Sequence, residues 1–154
     1  MPDNEFHEGG CACGNVRYKT TAKPTLTSVC HCRYCQLRTG SAFGVSVYID
    51  SKKVEKLSGE LQQFEYETES GTKITTEFCS NCGTTVYWTA EIFEGMTGIG
   101  GGTFDPPTFW YDIKREVFCR SKAPFADNQV KDKYETSPTY NPVKVDDARK
   151  RGAD

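Results

Sequence analysis

The sequence lacks any apolar run long enough to cross a membrane, although it contains 154 residues. Its first ten residues, MPDNEFHEGG, are acidic and contain no apolar core, so we expect no signal peptide and a cytoplasmic location. An excess of basic residues is also missing, because the formal net charge is −2. Nucleic acids and anionic membranes attract basic surfaces, and neither is therefore expected as a partner.

Helical signals are scarce as well. No apolar pattern of helical period extends over three turns, and no internal repeat is present. The glycine-rich stretch 95–102 contains neither G-x-G-x-x-G before a helix nor G-K-[ST], which argues against a phosphate-binding loop. Alternating apolar residues and turn residues instead predict strands at 15–20, 26–29, 43–49, 54–57, 61–68, 72–78, 85–89 and 116–120. The predicted fold class is therefore mainly β.

The length of the chain suits one domain with a hydrophobic core, which we place at 1–125. Residues 1–9 are predicted to be a loose lead-in. The strand at 43–49 is predicted to be half-buried, because its apolar residues alternate with small or polar ones. From 126 to 154 the chain is polar and broken by two prolines, so we expect it to wrap the surface or stay mobile, with a short helix at 146–151.

Eight cysteines are the most informative feature that the sequence does contain. They fall into groups of two, three, two and one: Cys11 and Cys13; Cys30, Cys32 and Cys35; Cys79 and Cys82; and Cys119. Without a secretory signal, cysteines at such short spacings favour bound metal in a reducing compartment over a disulfide framework. Thiolates suit a soft divalent metal, and zinc is the expected one.

Counting ligands predicts two zinc sites with different roles. The C-x-C pair and the C-x-x-C-G pair make four ligands, which is a closed structural site. The group of three leaves a fourth position open, as catalytic zinc sites do, unless a distant residue closes it. Cys119 stands alone in a predicted strand, where we expect a small buried residue and not a fourth ligand.

The order and spacing of these motifs resemble a known family. The residues that carry the resemblance are G-G-C-A-C-G, C-H-C-R-Y-C-Q-L-R-T-G-S-A-F, E-F-C-S-N-C-G-T-T-V-Y-W and G-G-T-F-D-P. Over about residues 8–125 the chain resembles the glutathione-dependent formaldehyde-activating enzymes, or CENP-V/GFA domain. The resemblance implies an Mss4-like fold of short antiparallel strands with one structural and one catalytic zinc. By motif, the structural ligands are Cys11, Cys13, Cys79 and Cys82, and the catalytic ligands are Cys30, Cys32 and Cys35.

Three thiolates donate much charge to zinc, which disfavours water activation and favours a substrate thiol in the fourth position. We therefore expect a carbon–sulfur lyase that joins a thiol such as glutathione to a small aldehyde such as formaldehyde, giving an S-hydroxymethyl adduct. The alternative is a non-catalytic, zinc-stabilised protein-interaction module. The oligomeric state is not predicted.

Several residues near the group of three allow two interpretations. His31 lies between two ligands and points away from them, either as an acid–base group or ligand support, or as a partly exposed or backbone-bonded histidine, which we favour. Arg33 and Arg38 either pair with substrate carboxylates or balance the thiolate charge. The aromatic residues Phe43, Tyr87 and Trp88 either line a pocket or, as strand aromatics more often do, fill the core.

Overall fold

The computed structural model describes residues 5–143, and within them the chain is mainly β, as predicted. Strands β1 to β10 are His7–Gly10, Arg17–Thr20, Leu26–Cys30, Gly44–Asp50, Val54–Ser58, Leu61–Glu67, Lys73–Cys79, Thr85–Ala90, Met96–Gly100 and Arg115–Val117. The helix α1 is Arg33–Thr39, and short 3-10 turns occupy Ser51–Lys53, Glu91–Phe93, Gly101–Thr103 and Cys119–Ser121. No helix among the described residues is long and apolar enough to span a membrane.

The strands form two sheets. The larger has seven strands in the order β10-β3-β4-β9-β8-β7-β6, and the smaller has three in the order β1-β2-β5. The paired strands are antiparallel except β10 and β3, which run parallel. The strands predicted at 61–68 and 72–78 are confirmed as β6 and β7, which pair with each other along their whole length. The predicted lead-in is wrong from residue 7 onward, since β1 pairs with β2.

The central strand β4 is more buried than predicted, because side chains on both of its faces are shielded from solvent. On one face Val47 and Ile49 are fully buried in a core shared with Tyr18 of the small sheet. On the other face Ser46 and Tyr48 are also buried, although they alternate with the core residues. The prediction of a half-buried strand is therefore wrong, because the second face forms the floor of a cleft.

The pairing register of the strands determines which side chains form the cleft floor. Side chains that alternate on one face of the sheet meet across paired positions, such as Ser28 with Ser46 and Thr76 with Trp88. Gly98 pairs with both Tyr48 and Trp88, and a Cβ atom there would overlap the Trp88 indole. Glycine at this position therefore lets the indole lie flat across the cleft floor.

The last predicted strand ends earlier than expected. β10 stops at Val117, Phe118 adopts a left-handed conformation with φ 57°, and Cys119 lies in a 3-10 turn. The cause is a change of partner: the backbone N–H of Phe118 donates to Thr136 O, at 2.9 Å, and not to a neighbouring strand. Cys119 is thus not a strand residue. The helix predicted at 146–151 lies outside the described residues.

Candidate metal centres and cleft

Four cysteines meet where the turn after β1 approaches the turn between β7 and β8. The Sγ atom of Cys13 lies 3.5 Å from that of Cys11 and 3.7 Å from that of Cys79, and Cys82 belongs to the same group. Four sulfurs bound tetrahedrally at about 2.3 Å from zinc lie about 3.8 Å apart. The observed separations match that arrangement, so these four thiols could hold a zinc ion.

Backbone hydrogen bonds favour the thiolate form at these sulfurs, although burial and the neighbouring thiols leave the pKa of Cys79 raised. The N–H of Val16 donates to Cys11 Sγ at 3.2 Å, and that of Asn81 donates to Cys79 Sγ at 3.4 Å. Hydrogen bonds with the side chain and backbone of Thr84 lower the pKa of Cys82 to about 5. Metal ligation requires deprotonated cysteine, so these bonds favour the binding form.

The other three cysteines lie where strand β3 leads into helix α1. Cys30 ends β3, Cys32 is the N-cap of α1, and Cys35 lies in the first helical turn. The Cys32 Sγ accepts a hydrogen bond from the Cys35 N–H at 3.4 Å, as an N-cap side chain does. This path brings the three sulfurs within 4.8 Å of one another. The group of three thus spans the end of a strand and the start of a two-turn helix.

The thiols in this group perturb one another strongly. Hydrogen bonds with Cys32 and Cys35, together with burial, raise the pKa of Cys30 well above its usual value. Hydrogen bonds from Cys30 and Cys32, assisted by the charge of Arg38, lower the pKa of Cys35 well below its usual value. Three close thiolates repel one another, and a divalent cation would relieve that repulsion. The group therefore fits zinc chemically.

Among residues 5–143, no fourth histidine, cysteine or carboxylate joins the group of three. Cys119 is not part of it: its Sγ atom contacts the Glu116 backbone oxygen at 3.9 Å. The side chain of His31 is also turned away, as predicted from its place between two ligands. The favoured view of it as partly exposed or backbone-bonded is wrong, because His31 is fully buried and its Nε2 lies 2.6 Å from Glu116 Oε1.

Glu116 is a site residue that the sequence analysis missed. It is fully buried, and its second carboxylate oxygen accepts a hydrogen bond from Lys133 Nζ. Burial alone would raise the pKa of Glu116, but hydrogen bonds from Lys133, His31 and Asn128 outweigh it and lower the pKa. The acidic side chain in an otherwise apolar strand pattern was the available signal, since such a group is buried only when paired.

Arg38 is a charged residue that lies beside the group of three thiols and hydrogen-bonds to Cys35. Its guanidinium carbon lies 4.1 Å from the centre of the Trp88 ring, whose Nε1 donates to Tyr48 Oη at 3.1 Å. The Arg38 Nη2 atom is buried and has no hydrogen-bond partner within residues 5–143. Arg33 differs, since its Nη1 donates to Gln36 Oε1 at 3.5 Å and it does not line the cleft.

The cleft opens directly above the three thiols. All three cysteines line it, together with Arg38 and Trp88, so one predicted pocket residue is in place. Tyr87 lies instead in the core, as strand aromatics usually do. Phe43 packs edge-on against His31, with ring centres 5.6 Å apart, and is not among the lining residues.

Comparison with known proteins shows to which family the chain belongs. Residues 6–121 match the model of the glutathione-dependent formaldehyde-activating enzymes. A curated relative, the uncharacterized lyase C29B12.13 of Schizosaccharomyces pombe, is 28% identical over 116 residues, which cover 68% of this chain and 77% of the relative. The crystal structure of a Rhodobacter sphaeroides protein has a similar fold, with a TM-score of 0.50 at 16% identity over 68% of this chain and 95% of that one. The family resemblance is therefore confirmed, and the chain belongs to the glutathione-dependent formaldehyde-activating enzyme family.

Proposed function

We propose that this protein is a zinc-dependent carbon–sulfur lyase that joins a thiol such as glutathione to a small aldehyde such as formaldehyde. The observation that carries the proposal is a group of three thiols at the base of an open cleft, with no fourth protein ligand among residues 5–143. Family membership and the lyase name of the yeast relative support the reaction class. A cytoplasmic location, where thiols stay reduced, is part of the proposal.

The two cysteine groups are proposed to divide the work. Cys11, Cys13, Cys79 and Cys82 would hold a structural zinc, because four thiols supply a closed set of ligands and come from two distant turns. Cys30, Cys32 and Cys35 would hold a catalytic zinc. When bound there, zinc supplies a lowered pKa for the substrate thiol, so that the sulfur is available as a thiolate at neutral pH.

The reaction forms one bond and moves one proton. The thiol sulfur donates an electron pair to the carbonyl carbon, the carbonyl π pair moves to oxygen, and the proton from the thiol ends on that oxygen. The reverse direction breaks the carbon–sulfur bond and returns thiol and aldehyde. Charge therefore develops on the carbonyl oxygen, and a fixed cation beside the thiol group would stabilise it.

Arg38 is suited to that task. Its guanidinium lowers the pKa of Cys35 through its charge and a hydrogen bond, while its buried Nη2 atom has no hydrogen-bond partner within residues 5–143. The Trp88 ring supports the guanidinium from one side. A donor held in this way needs no reorganisation during the reaction, which is what makes preorganised charge effective.

The test is a direct rate measurement. Formation of S-hydroxymethylglutathione from glutathione and formaldehyde is followed by exchange NMR, with and without the zinc-loaded protein, because the adduct also forms spontaneously. We expect a rate above the spontaneous one that grows in proportion to protein concentration. If no thiol and small-aldehyde pair reacted faster with the protein than without it, the lyase proposal would be wrong and the interaction-module alternative would be favoured.

A further inference from the structure

The segment after the family match forms the outer wall of the cleft. Residues 132–143, here called the strap, begin beside β10, where the Glu116 N–H donates to Asp132 O at 2.8 Å. They end at the turn between β6 and β7, where the Val143 N–H donates to Glu69 O at 2.8 Å. Since β10 and β6 are opposite edges of the large sheet, the strap crosses the side of the cleft that faces away from the sheet.

One tyrosine of the strap is held in place from three sides. The hydroxyl of Tyr140 donates to Glu69 Oε2 at 2.9 Å and accepts from Arg120 Nη2 at 3.3 Å. Its ring packs edge-on against Phe118, with ring centres 5.5 Å apart. Of these partners Glu69 is buried, so the hydrogen bond from Tyr140 to Glu69 is partly shielded from solvent. The Tyr140 ring is therefore a built part of the cleft wall, where it lines the cavity.

The cleft offers much more apolar surface than formaldehyde could contact. Beyond the thiols and Arg38, its lining includes the stacked rings of Tyr34 and Tyr66, whose centres lie 5.3 Å apart, and the side chains of Ile74 and Phe93. Formaldehyde has no side group, and the arms of glutathione are polar. An apolar concave wall of this kind favours a ligand that buries an apolar group against it.

We propose that the electrophile of this enzyme carries an aryl or branched alkyl group, which the cleft holds between the Tyr34–Tyr66 pair and the strap residue Tyr140. The inference rests on the proposed function and narrows its substrate class from small aldehydes to aldehydes with an apolar group of about aromatic size. Tyr140 is the specificity-determining residue in this arrangement, since its ring closes the wall on the open side.

The experiment compares two thioethers that share the glutathione peptide and differ by one phenyl ring. S-benzylglutathione and S-methylglutathione are titrated calorimetrically into the zinc-loaded full chain. Neither can supply a thiolate, so the measurement does not depend on turnover. We expect S-benzylglutathione to bind about tenfold more tightly, as burial of an added ring predicts. The Tyr140→Ala variant should lose most of this preference.

The matched control is Tyr134→Ala, which makes the same change on the strap at an exposed position outside the cleft. It should keep the tenfold preference, because the Tyr134 contacts to β10 are made by its backbone. Zinc content and unfolding temperature are compared for each variant. Equal binding of the two thioethers by the unaltered protein, no binding of either, or an unchanged preference in a folded Tyr140→Ala would each overturn the inference.

The same data separate this inference from the proposed function. If S-benzylglutathione were preferred but no thiol and aldehyde reacted faster with the protein, the lyase proposal would fail and the apolar subsite would stand. If glutathione and formaldehyde reacted faster while both thioethers bound equally, the lyase proposal would stand and the apolar subsite would fail.

Discussion

At the scale of single residues, Arg38 and Glu116 have opposite tasks. Arg38 presents positive charge to the cleft and leaves a buried donor without a protein partner within the described part of the chain. Both carboxylate oxygens of Glu116 already have partners, because one contacts His31 and the other accepts a hydrogen bond from Lys133. Substitution of Arg38 should therefore affect the rate of the proposed reaction, whereas substitution of Glu116 should affect the stability of the fold.

Replacing Arg38 by methionine should lower kcat about a hundredfold, because a preorganised donor at a developing oxyanion typically contributes that much. The change keeps an unbranched side chain over Trp88 but removes the charge. Steady-state kinetics with glutathione and formaldehyde measure it, with metal analysis alongside. The control is Arg33→Met on the same helix, which faces away from the cleft and should keep its kcat. Equal kcat values in the two variants would contradict the role of Arg38.

Glu116→Ala should destabilise the fold by about 2 kcal/mol, since it leaves the fully buried His31 side chain without its hydrogen-bond partner. Denaturant unfolding measures the loss of stability. The control Glu55→Ala, which changes an exposed side chain, should cost almost nothing.

Stability should also depend on pH through Glu116. Because the pKa of Glu116 is lowered in the folded protein, its carboxylate stabilises the protein above the ordinary pKa of 4.5 and loses that effect as the pH falls further. The deficit of Glu116→Gln should therefore shrink below about pH 4.5. A deficit that stayed constant down to pH 3 would contradict this account.

At the scale of elements, the four-cysteine group joins two turns that are far apart in sequence and belong to different sheets. The turn after β1 and the turn between β7 and β8 contact each other directly, for example through the Ala12 N–H, which donates to Thr84 Oγ1 at 3.1 Å. A metal that bridges them would therefore stabilise the arrangement of the two sheets, as structural zinc does in small domains.

Cys79→Ser should lose one zinc per chain and much of the stability, because structural zinc supplies roughly 10 kcal/mol of apparent binding free energy in small domains. Metal analysis and thermal unfolding measure both effects. Removal of zinc by a chelator should unfold the unaltered protein in the same way. Unchanged metal content and an unchanged unfolding temperature in Cys79→Ser would mean that the pairing of Cys11 and Cys13 with Cys79 and Cys82 is wrong.

The cleft floor makes a prediction about strand β9. Gly98→Ala should destabilise the protein by about 1–3 kcal/mol, since the added methyl group overlaps the Trp88 indole and displaces it from Tyr48 and Arg38. Gly102→Ala is the matched control, because a Cβ atom there meets nothing within 4 Å. Both are compared by denaturant unfolding and by tryptophan fluorescence. A Gly98→Ala variant as stable as Gly102→Ala would show that the indole does not lie over this strand.

At the scale of the whole molecule, local features were predictable and long-range ones were not. Cysteine spacing predicted the two pairs and the group of three, because ligands two or three residues apart are brought together by the local backbone. The one long-range exception, the meeting of the two distant pairs, followed from counting the ligands that a closed zinc site needs. The burial of His31 and the turn at Cys119 depend on Glu116 and on backbone bonds to residues 134–136, which no local pattern encodes. The same holds for Ser46 and Tyr48, whose face is buried by the cleft.

The central claim is that Cys30, Cys32 and Cys35 hold a catalytic zinc that the fold itself does not need. Cys32→Ser tests it most directly, because serine removes the thiolate yet can still cap α1. Metal content, unfolding temperature and the rate of S-hydroxymethylglutathione formation are measured on one preparation. The account predicts one zinc per chain instead of two, a nearly unchanged unfolding temperature and no activity above the spontaneous rate. Two zincs per chain with full activity would contradict it.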